Sequence, residues 1–551
     1  MSDDKPVSHH HQYLILGAGP AGLQLGYYLH QTGRDYLILE AGDTPGTFFK
    51  RFPRHRTLIS SNKVHTGYDD PEVRMRFDWN SLLSDDYGVL FKDFSQQYFP
   101  PADVLVEYLQ AFARHFGLKV RCGARAERIG RDGRFRVETA NGEVLTCDRL
   151  IVATGLYKPY LPPIAGIELA ESYTEVSVDP ADFVDQKVLV IGKGNSGFET
   201  ADNLISTAAV IHVASPQPVS FAWKTHYVGH LRAVNNNFLD TYQLKTQNAV
   251  LDASIVRIAR REDGRYTVAV SYTHASEECE ELIYDRVIAC TGFRFDAAIF
   301  DESARPALTL NDRFPDQTSA WESVNVKDLY FAGTLSQMRD FKKATSGFIH
   351  GFRYNAQALH RILDSRYHGV PWPSRVIAAD PAGLADASLA RINQTSALWQ
   401  QFGFLGDLIV VDGDGRSARY YPELPVAFLH DSDFGQSADY YVLTLEFGKV
   451  QGDPFSIKRE PVPEKADRSV FLHPVIRHYS GDRLLSEHHV LENLYGEWRD
   501  EHLHIVPLHA YFTREIMDLR GALPEPAAEA GRAAPLATDT LRSPAAMGGE
   551  M

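Results

Sequence analysis

Short apolar runs and helical segments alternate along the first half of the chain. Tyr13–Leu16 is an apolar run, a glycine-rich turn and a helical segment at Leu23–Gln31 follow, and Tyr36–Glu40 is a second apolar run. The same succession recurs further along the chain at Lys187–Ile191, Phe198–Ser206 and Val210–Ala214. An apolar strand, a helix and a second apolar strand form one βαβ unit, so the pattern predicts two such units.

Three further apolar runs end in small residues, as buried strands do where they reach the edge of a sheet. They are Leu150–Gly155, Val287–Gly292 and Leu329–Thr334. The pattern changes after about residue 370, where Asp439–Phe447 and Phe471–Tyr479 are strand-like and no glycine motif recurs. We therefore expect an additional α+β region at 369–520.

Two short segments in this second half have composition of their own. Asp412–Gly415 resembles a fragment of a calcium-binding loop but lacks the downstream glutamate, so a hairpin turn is the better prediction. Ala, Pro and Gly make up 16 of the 30 residues of Ala522–Met551, which contains no aromatic residue. Such a segment cannot bury enough apolar surface to offset its ordering, and 521–551 is predicted to be disordered.

Composition and charge exclude several classes of protein. The 551 residues are 44% hydrophobic and 23% charged, as in globular proteins, and 56 basic against 71 acidic residues give a net charge of −15. This charge argues against a dedicated nucleic-acid or anionic-membrane binder. None of the four cysteines forms a Cys-x-x-Cys motif, which argues against a zinc ribbon or a redox dithiol of the usual spacing.

The turn of the first unit carries a Gly-x-Gly-x-x-Gly motif at Gly17, Gly19 and Gly22. The first glycine permits the tight turn, the second lets the backbone approach a pyrophosphate, and the third lets the helix pack on the strand. Glu40 ends the next strand, where a carboxylate accepts hydrogen bonds from a ribose 2′-hydroxyl. The unit therefore predicts a site for an unphosphorylated adenosine ribose, as in FAD or NAD.

The second unit repeats the motif at Gly192, Gly194 and Gly197, but Ser215 stands where the first unit has its glutamate. Because no carboxylate repels a 2′-phosphate there, NADPH is preferred over NADH, with Lys193 as one source of positive charge. Lys224 and Arg232 are further candidates, and each of the three is alternatively an ordinary surface side chain.

Two dinucleotide sites in one chain indicate that one holds a flavin and the other brings a nicotinamide to it. We expect a two-dinucleotide-binding-domain flavoprotein of the α/β class, with a Rossmann-like FAD domain and an inserted NAD(P) domain. The predicted segments are an FAD domain at 12–157 and 293–368, a linker at 158–185, the NAD(P) domain at 186–292 and the accessory region. The predicted FAD contacts are Gly17, Gly19, Pro20, Ala21, Gly22, Glu40, Arg51, Asn62, Gly155, Gly333, Asp340 and Gly347. The predicted NADP contacts are Gly192, Lys193, Gly194, Asn195, Ser196, Gly197, Ser215 and Gly292.

Several longer stretches outside the glycine motifs carry a more specific signal. They are Arg51–Ser60, Asp78–Leu83, His226–Gly229, Leu231–Asn236, Leu239–Lys245, Gly347–Tyr354 and Phe471–Pro474. In these stretches the chain resembles a known family, the endoplasmic reticulum flavoproteins associated with degradation, or FAD-dependent oxidoreductase domain-containing proteins. This chain lacks that family's secretory signal and retention tail, and no run of 18 apolar residues occurs, so a cytoplasmic protein without a membrane span is expected.

That family is in turn similar to flavin-containing monooxygenases, in which an asparagine after the first unit lies over the flavin. Asn62 matches that position, and a turn-forming asparagine is the alternative. The usual monooxygenase fingerprint is incomplete, because Ile164–Tyr173 keeps a glycine and an aromatic residue but has no histidine.

The resemblance implies a single-component monooxygenase, in which a C4a-hydroperoxyflavin transfers oxygen to an N, S or C centre of a small molecule. An NADPH oxidase or reductase without oxygen insertion and a flavin-bound interaction or sensor protein are the alternatives. The predicted partners are a small-molecule substrate and O2, and no metal site is predicted.

Other polar groups have two interpretations each. His9–His11 is more simply a polar leader than a metal site, and the basic stretch at Arg51, Arg54, His55 and Arg56 is either a solvated turn or a clamp on cofactor phosphate. The polar segment with His226 and Asn235–Asn237 either lines an active site or connects domains.

Overall fold

The computed structural model describes residues 9–519 apart from 223–225, 227–230, 242–246, 277, 414 and 438. The predicted disordered tail and part of the resembling stretches at His226–Gly229 and Leu239–Lys245 lie outside the described residues. The chain divides into two compact units, one ending at His360 and the other beginning at Arg361.

Eleven α-helices and 24 strands are named here in chain order, as far as the chain is described. The helices are α1 (Pro20–Gln31), α2 (Phe48–Arg51), α3 (Pro71–Arg74), α4 (Ala102–His115), α5 (Asn195–Leu204), α6 (Asn237–Thr241), α7 (Ile349–His368), α8 (Pro381–Gln394), α9 (Ala397–Gln400), α10 (Val426–Asp431) and α11 (Val506–Leu519). The strands are β1 (His9–Leu16), β2 (Tyr36–Leu39), β3 (Val120–Arg121), β4 (Ala126–Asp132), β5 (Arg134–Thr139), β6 (Val144–Val152), β7 (Lys158–Pro159), β8 (Glu171–Ser172), β9 (Lys187–Ile191), β10 (Val210–Ser215), β11 (Asn248–Arg260), β12 (Tyr266–Tyr272), β13 (Cys279–Tyr284), β14 (Arg286–Ala289), β15 (Phe293–Arg294), β16 (Leu308–Thr309), β17 (Phe314–Pro315), β18 (Leu329–Phe331), β19 (Arg375–Ala378), β20 (Leu405–Val411), β21 (Ser417–Pro425), β22 (Tyr440–Glu446), β23 (His473–Ser480) and β24 (Arg483–His489).

The first unit contains two seven-stranded sheets. In the first sheet the strand order is β3-β2-β1-β6-β5-β4, and β18 pairs with the carboxyl half of β6. β1, β2, β3, β6 and β18 run parallel, whereas β4 and β5 form an antiparallel extension. Helix α1 begins at Pro20, whose missing N–H costs nothing in a first turn. The carboxyl ends of β1 and of its parallel neighbours lie at one edge of this sheet, and α1 begins at that edge.

The second sheet has the order β13-β12-β11-β10-β9-β14-β8. Its parallel part consists of β8 to β11 and β14, and the long strand β11 continues into an antiparallel hairpin with β12 and β13. Its core includes Val188, Val190, Phe198 and Ile211, all fully buried. This sheet is inserted in the chain between β6 and β18 of the first sheet.

The second unit contains a six-stranded sheet with the order β19-β21-β20-β22-β23-β24, in which every pairing is antiparallel. Strand β22 lies in its centre, and Tyr440–Leu445 is buried throughout. The hairpin predicted at Asp412–Gly415 joins β20 to β21, although Asp414 itself lies outside the described residues.

The prediction of an α/β protein with two Rossmann-like domains is confirmed. None of the described helices is long and apolar enough to cross a lipid bilayer. His9–His11, interpreted from the sequence as a polar leader, instead forms the start of β1 and pairs with β6, so that interpretation is wrong. Strand pairing at this position depends on residues about 136 positions away, which local composition does not reveal.

Candidate functional site

The first glycine loop joins β1 to α1, and its three glycines have different surroundings. Gly17 has a φ of +103°, and a Cβ placed there would lie 2.8 Å from the Ala153 carbonyl oxygen. A Cβ on Gly22 would lie 1.9 Å from the Gly17 carbonyl oxygen. A Cβ on Gly19 would meet no atom within 4 Å. The outer two glycines thus serve packing, and Gly19 faces open space beside the N-terminus of α1, where a pyrophosphate can approach.

Glu40 lies at the edge of this loop, directly after β2. Its side chain is buried, and its two carboxylate oxygens accept hydrogen bonds of 2.9 Å from the backbone N–H groups of Ala18 and Gly42. Each carboxylate oxygen can accept a second hydrogen bond. The carboxylate is therefore held in place by the backbone, with acceptor capacity left for ribose hydroxyls.

The ends of β6 and β18 meet the same loop. Gly155 follows β6 with a φ of +69°, and a Cβ there would meet no atom within 4 Å. Gly333 follows β18 with a φ of +71°, and a Cβ there would lie 2.6 Å from the Cβ of Ala21. Since Ala21 and Pro20 belong to the buried first turn of α1, only glycine lets the end of β18 come this close.

Beyond β18, Asp340 is a buried carboxyl with an incomplete set of partners. One of its oxygens accepts a hydrogen bond of 3.1 Å from the Ser346 N–H, while the other is buried without a hydrogen bond among the described residues. Burial raises the pKa of Asp340 to about 7. Gly347 follows, and a Cβ there would lie 2.6 Å from the side-chain nitrogen of Gln337. The unpaired oxygen and the open space at Gly19 both fit a cofactor that supplies polar partners.

Arg51 and Arg54 are placed by contacts with the segment before β9. Arg51 donates to the Thr174 carbonyl oxygen and to a Glu175 carboxylate oxygen, both at 2.6 Å. Arg54 donates to the Thr174 and Val176 carbonyl oxygens, also at 2.6 Å. These contacts join the end of α2 and the segment after it to residues 174–176. Arg51 thus has partners within the protein, and its contact with cofactor phosphate stays a prediction.

His55 and Arg56 complete that basic stretch. Burial lowers the pKa of His55 to about 4, so it is neutral at physiological pH. Arg56 donates to the Phe49 carbonyl oxygen at 2.5 Å and to an Asp103 carboxylate oxygen at 2.6 Å. His55 is therefore uncharged, and the charge of Arg56 is paired within the protein.

Asn62 is 3% exposed, and its amide nitrogen donates to the Ser95 and Gln97 carbonyl oxygens at 2.7 and 3.2 Å. Both amide hydrogens thus hold the segment around residue 96 against the loop that follows β2. A contact between Asn62 and a cofactor stays a prediction.

The second glycine loop repeats the geometry of the first. Gly192 has a φ of +119°, and a Cβ there would lie 2.3 Å from the Cys290 carbonyl oxygen. A Cβ on Gly197 would lie 2.1 Å from the Gly192 carbonyl oxygen, whereas one on Gly194 would meet no atom within 4 Å. Asn195 and Ser196 form the first turn of α5. The loop leaves open space beside a helix N-terminus, and its contact with the pyrophosphate of NADP stays a prediction.

Lys193 lies directly beside Ser215. Its ammonium donates to the Ser215 and Gln217 carbonyl oxygens at 3.1 and 3.0 Å and forms an ion pair with the Asp252 carboxylate. The side chain is 4% exposed, and burial lowers the pKa of Lys193 although Asp252 opposes this. The three ammonium hydrogens thus have acceptors within the protein, and Asp252 balances the charge.

A small cavity of about 10 Å³ lies beside the second loop, between residues 159–174 and the end of β14. Its lining includes Ser196, Cys290, Gly292 and Tyr173. The Tyr173 hydroxyl donates to the buried Glu199 carboxylate on α5 and accepts a hydrogen bond of 3.2 Å from the Arg54 N–H. Burial raises the pKa of Glu199 to about 7. Sequence reasoning missed Glu199, because nothing in the chain reveals that this residue of α5 faces inward.

His350 is a second group that the sequence did not single out. Its imidazole is 1% exposed. The centre of the imidazole ring lies 4.4 Å from the ring centre of Trp79 and 5.7 Å from that of Phe348. Neither ring nitrogen has a hydrogen bond among the described residues. Burial holds the pKa of His350 well below its usual value. It lies in the first turn of α7, within the stretch where we expect the flavin.

The polar segment before α6 is only partly described. His226 has a φ of +56°, and residues 227–230 after it lie outside the described part. Asn235 is 7% exposed, and Asn237 begins α6 and donates to Asp202 at 3.3 Å. Among the described residues, His, Cys, Asp and Glu form no group that could hold a metal ion.

The chain matches one family model and is similar to several known proteins. The family model described as pyridine nucleotide-disulphide oxidoreductase matches residues 14–333. The mouse FAD-dependent oxidoreductase domain-containing protein 2 is 38% identical over 91% of this chain and 83% of its own length, which confirms the resemblance noted in the sequence. The rice indole-3-pyruvate monooxygenase YUCCA1 is 30% identical over 37% of this chain and 48% of its own length. A solved flavin-containing monooxygenase from Stenotrophomonas maltophilia superimposes with a TM-score of 0.49 at 21% identity, covering 65% of this chain and 99% of that one.

Proposed function

The chain belongs to the pyridine nucleotide-disulphide oxidoreductase family, and we propose that within this family it is a single-component monooxygenase that uses NADPH. It is a flavin-dependent oxidoreductase whose relatives use FAD and NAD(P)H. In the proposed reaction NADPH, a proton and O2 are consumed. One oxygen atom enters an N, S or C centre of a small molecule, and the other leaves as water.

The residues of the two loops would hold the two cofactors. Gly17–Gly22 and the backbone-anchored Glu40 suit the pyrophosphate and ribose of FAD, and Gly192–Gly197 with Ser215 suit those of the nicotinamide cofactor. When bound, FAD supplies hydride acceptance and the activation of oxygen. The protein positions the two dinucleotides and excludes water from the reacting atoms.

The single observation that carries this proposal is the state of the cysteines. All four are free thiols. Cys147 and Cys290 are buried, and burial raises the pKa of the Cys290 thiol to about 12 and that of Cys147 further. Since the thiolate is the reactive form in disulfide exchange, neither buried thiol suits a disulfide reductase. The cysteines thus favour oxygen chemistry over disulfide exchange, and the name of the rice relative supports it.

The test separates oxygen insertion from plain oxidation. The FAD-loaded protein is reduced with NADPH without air and mixed with oxygen in a stopped-flow spectrometer, and the hydrogen peroxide released per NADPH is measured. We expect the oxidised flavin spectrum to return slowly. With a substrate present, the amount of hydrogen peroxide released should be smaller than the amount of NADPH consumed. An immediate return with equal amounts of peroxide and NADPH for every candidate substrate would show an oxidase.

We also propose a reducing compartment, the cytoplasm, because two of the four free cysteines, Cys122 and Cys279, are exposed. Fractionation of cells that make the full chain, followed by thiol alkylation, would check this. Recovery of the protein with oxidised Cys122 and Cys279 in a secretory fraction would contradict it.

A further inference from the structure

A second cavity, of about 160 Å³, lies in the segment between β2 and α4. None of its lining residues belongs to either glycine loop, and the proposed function gives it no role. The lining combines three cations, Lys63, Arg74 and Lys92, with the apolar side chains of Val64, Met75 and Leu90. This combination is unusual in a chain whose net charge is −15.

The cations of this cavity have few partners of their own. Among the described residues, Lys63 and Arg74 form no ion pair, and the carboxylate oxygen nearest to the Lys92 ammonium belongs to Asp93, 4.0 Å away. A positive group without a paired carboxylate is available to an anion, and the planar guanidinium of Arg74 matches the two oxygens of a carboxylate. The cavity therefore offers charge that the protein itself does not use.

Three other polar residues line the cavity, Thr66, Asp78 and Tyr87, and they do not cancel this charge. Asp78 is the one acidic lining residue, and its carboxylate accepts hydrogen bonds from the Asn80 and Ser81 N–H groups at 3.0 and 2.8 Å and from the Ser81 hydroxyl. Burial raises the pKa of Tyr87, whose neutral hydroxyl donates to Glu72 at 3.4 Å. The lining thus keeps more positive than negative charge.

The segment that forms the cavity is held by hydrogen bonds from side chains of α7 and α1. Arg353 of α7 is fully buried and donates to the Met75 and Ser81 carbonyl oxygens at 2.8 and 2.7 Å. Gln24 of α1 exchanges hydrogen bonds of 3.0 and 2.6 Å with the backbone of Leu83. A cavity held from two buried sides keeps its shape, which a specific small-molecule site requires.

We propose that this cavity binds a small organic anion, a carboxylate with an apolar body. Arg74 and Lys63 pair with the carboxylate, Lys92 adds positive charge, and the apolar part packs against Met75, which is 2% exposed, with Val64 and Leu90. The apolar lining favours an organic acid over inorganic phosphate, which has no surface to bury. The assignment goes beyond the proposed oxygenase function and does not depend on it.

The test is calorimetric titration of the FAD-loaded full chain, without NADPH, with 3-phenylpropanoate, its neutral amide and inorganic phosphate as probes. We expect one binding site for the acid, with the amide and phosphate at least about tenfold weaker. Arg74→Gln and Lys63→Gln should each weaken binding of the acid by about fivefold or more. Arg74→Lys should restore only part of the affinity, because it keeps the charge but not the planar guanidinium. Arg114→Gln, an exposed arginine in the last turn of α4, is the matched control and should bind like the wild type.

Three results would overturn the proposal. They are no binding of benzoate, 3-phenylpropanoate or octanoate up to about 10 mM, equal affinity for the acid and its amide or phosphate, and undiminished affinity in both Arg74→Gln and Lys63→Gln. The side chains of Arg74 and Lys63 form no ion pair with the described residues, so unchanged melting temperatures are expected for both variants. The titration measures binding without turnover. Its failure would therefore contradict this site and leave the oxygenase proposal untouched.

Discussion

The Lys193 ammonium, which is buried, forms an ion pair with the partly exposed Asp252 carboxylate beside the end of β10. The pairing follows from strand register, because Ser215 of β10 lies opposite Asp252 of β11 and Lys193 reaches across from the glycine loop. A cation beside Ser215 would favour a 2′-phosphate, and the adjacent carboxylate offsets that preference. We therefore propose that the choice between NADPH and NADH depends on this pair of charges rather than on Ser215 alone.

Asp252→Asn should shift the protein toward NADPH. Removal of the carboxylate leaves the Lys193 charge uncompensated, and we expect the ratio of kcat/KM for NADPH to that for NADH to rise about threefold to tenfold. Steady-state rates of cofactor oxidation measure it. Asp263→Asn, in an exposed turn of the same domain, is the control and should leave the ratio unchanged. If Asp252→Asn also leaves the NADPH-to-NADH ratio unchanged, the 2′-phosphate does not bind beside Lys193 and Asp252.

The exposed cysteines should be dispensable. In the native protein a thiol reagent should modify Cys122 and Cys279 rapidly and leave Cys147 and Cys290 unmodified, because the latter two are buried and burial raises their pKa values. The double variant Cys122→Ser/Cys279→Ser should keep the rate of NADPH oxidation within about twofold of the wild type. A loss of turnover in this variant, with FAD content unchanged, would favour thiol chemistry instead of oxygen chemistry.

Local features of the sequence were sufficient to predict the two dinucleotide units. Glycine is required at 17, 22, 192 and 197, because a Cβ at any of these positions would lie 1.9 to 2.8 Å from a backbone carbonyl oxygen. The steric rule that defines the motif therefore acts within a few residues or on the neighbouring strand. Apolar runs such as Tyr13–Leu16 are buried because parallel strands are covered on both faces. These constraints are visible without knowledge of the remaining fold.

Contacts between distant residues could not be predicted in the same way. Lys193 and Asp252 are 59 positions apart, and their contact depends on the register of β10 against β11. The order of the six-stranded sheet in the second unit likewise depends on packing, since β19 pairs with β21 and not with the next strand in the chain. The hydrogen bonds of Asn62 and Arg51 are set by loops more than 30 positions away, which a motif does not describe.

His478 should make the stability of the second unit depend on pH. Its ring nitrogens lie 2.5 Å from a Glu515 oxygen and 2.6 Å from an Asp439 oxygen. Burial opposes the charged form, but the two hydrogen bonds outweigh it and raise the pKa of His478 to about 9. Because the pKa in the folded state is higher than the value of about 6.5 in the unfolded chain, the contribution is complete below about pH 6.5 and disappears as pH rises through about 9.

His478→Gln should therefore lower the free energy of unfolding by about 2 to 3 kcal/mol near pH 6. The difference from the wild type should shrink at about pH 9.5, where the wild-type imidazole is neutral as well. Urea unfolding of the full chain at both pH values measures this, with a probe in the second unit. His502→Gln, an exposed histidine, serves as control. A wild-type advantage that stays constant across this range would mean that His478 is not charged in the folded protein.

Gly19 and Gly22 allow cofactor binding to be separated from folding. A Cβ on Gly22 would collide with the Gly17 carbonyl oxygen at 1.9 Å, so Gly22→Ala should destabilise the cofactor-free protein by at least about 2 kcal/mol. A Cβ on Gly19 meets no protein atom within 4 Å, so Gly19→Ala should keep the melting temperature of the cofactor-free protein but purify with much less FAD, because its methyl group occupies the space of the pyrophosphate. Flavin absorbance per protein and thermal unfolding of both variants measure the two effects. Full FAD content in Gly19→Ala would mean that the first loop does not hold the pyrophosphate.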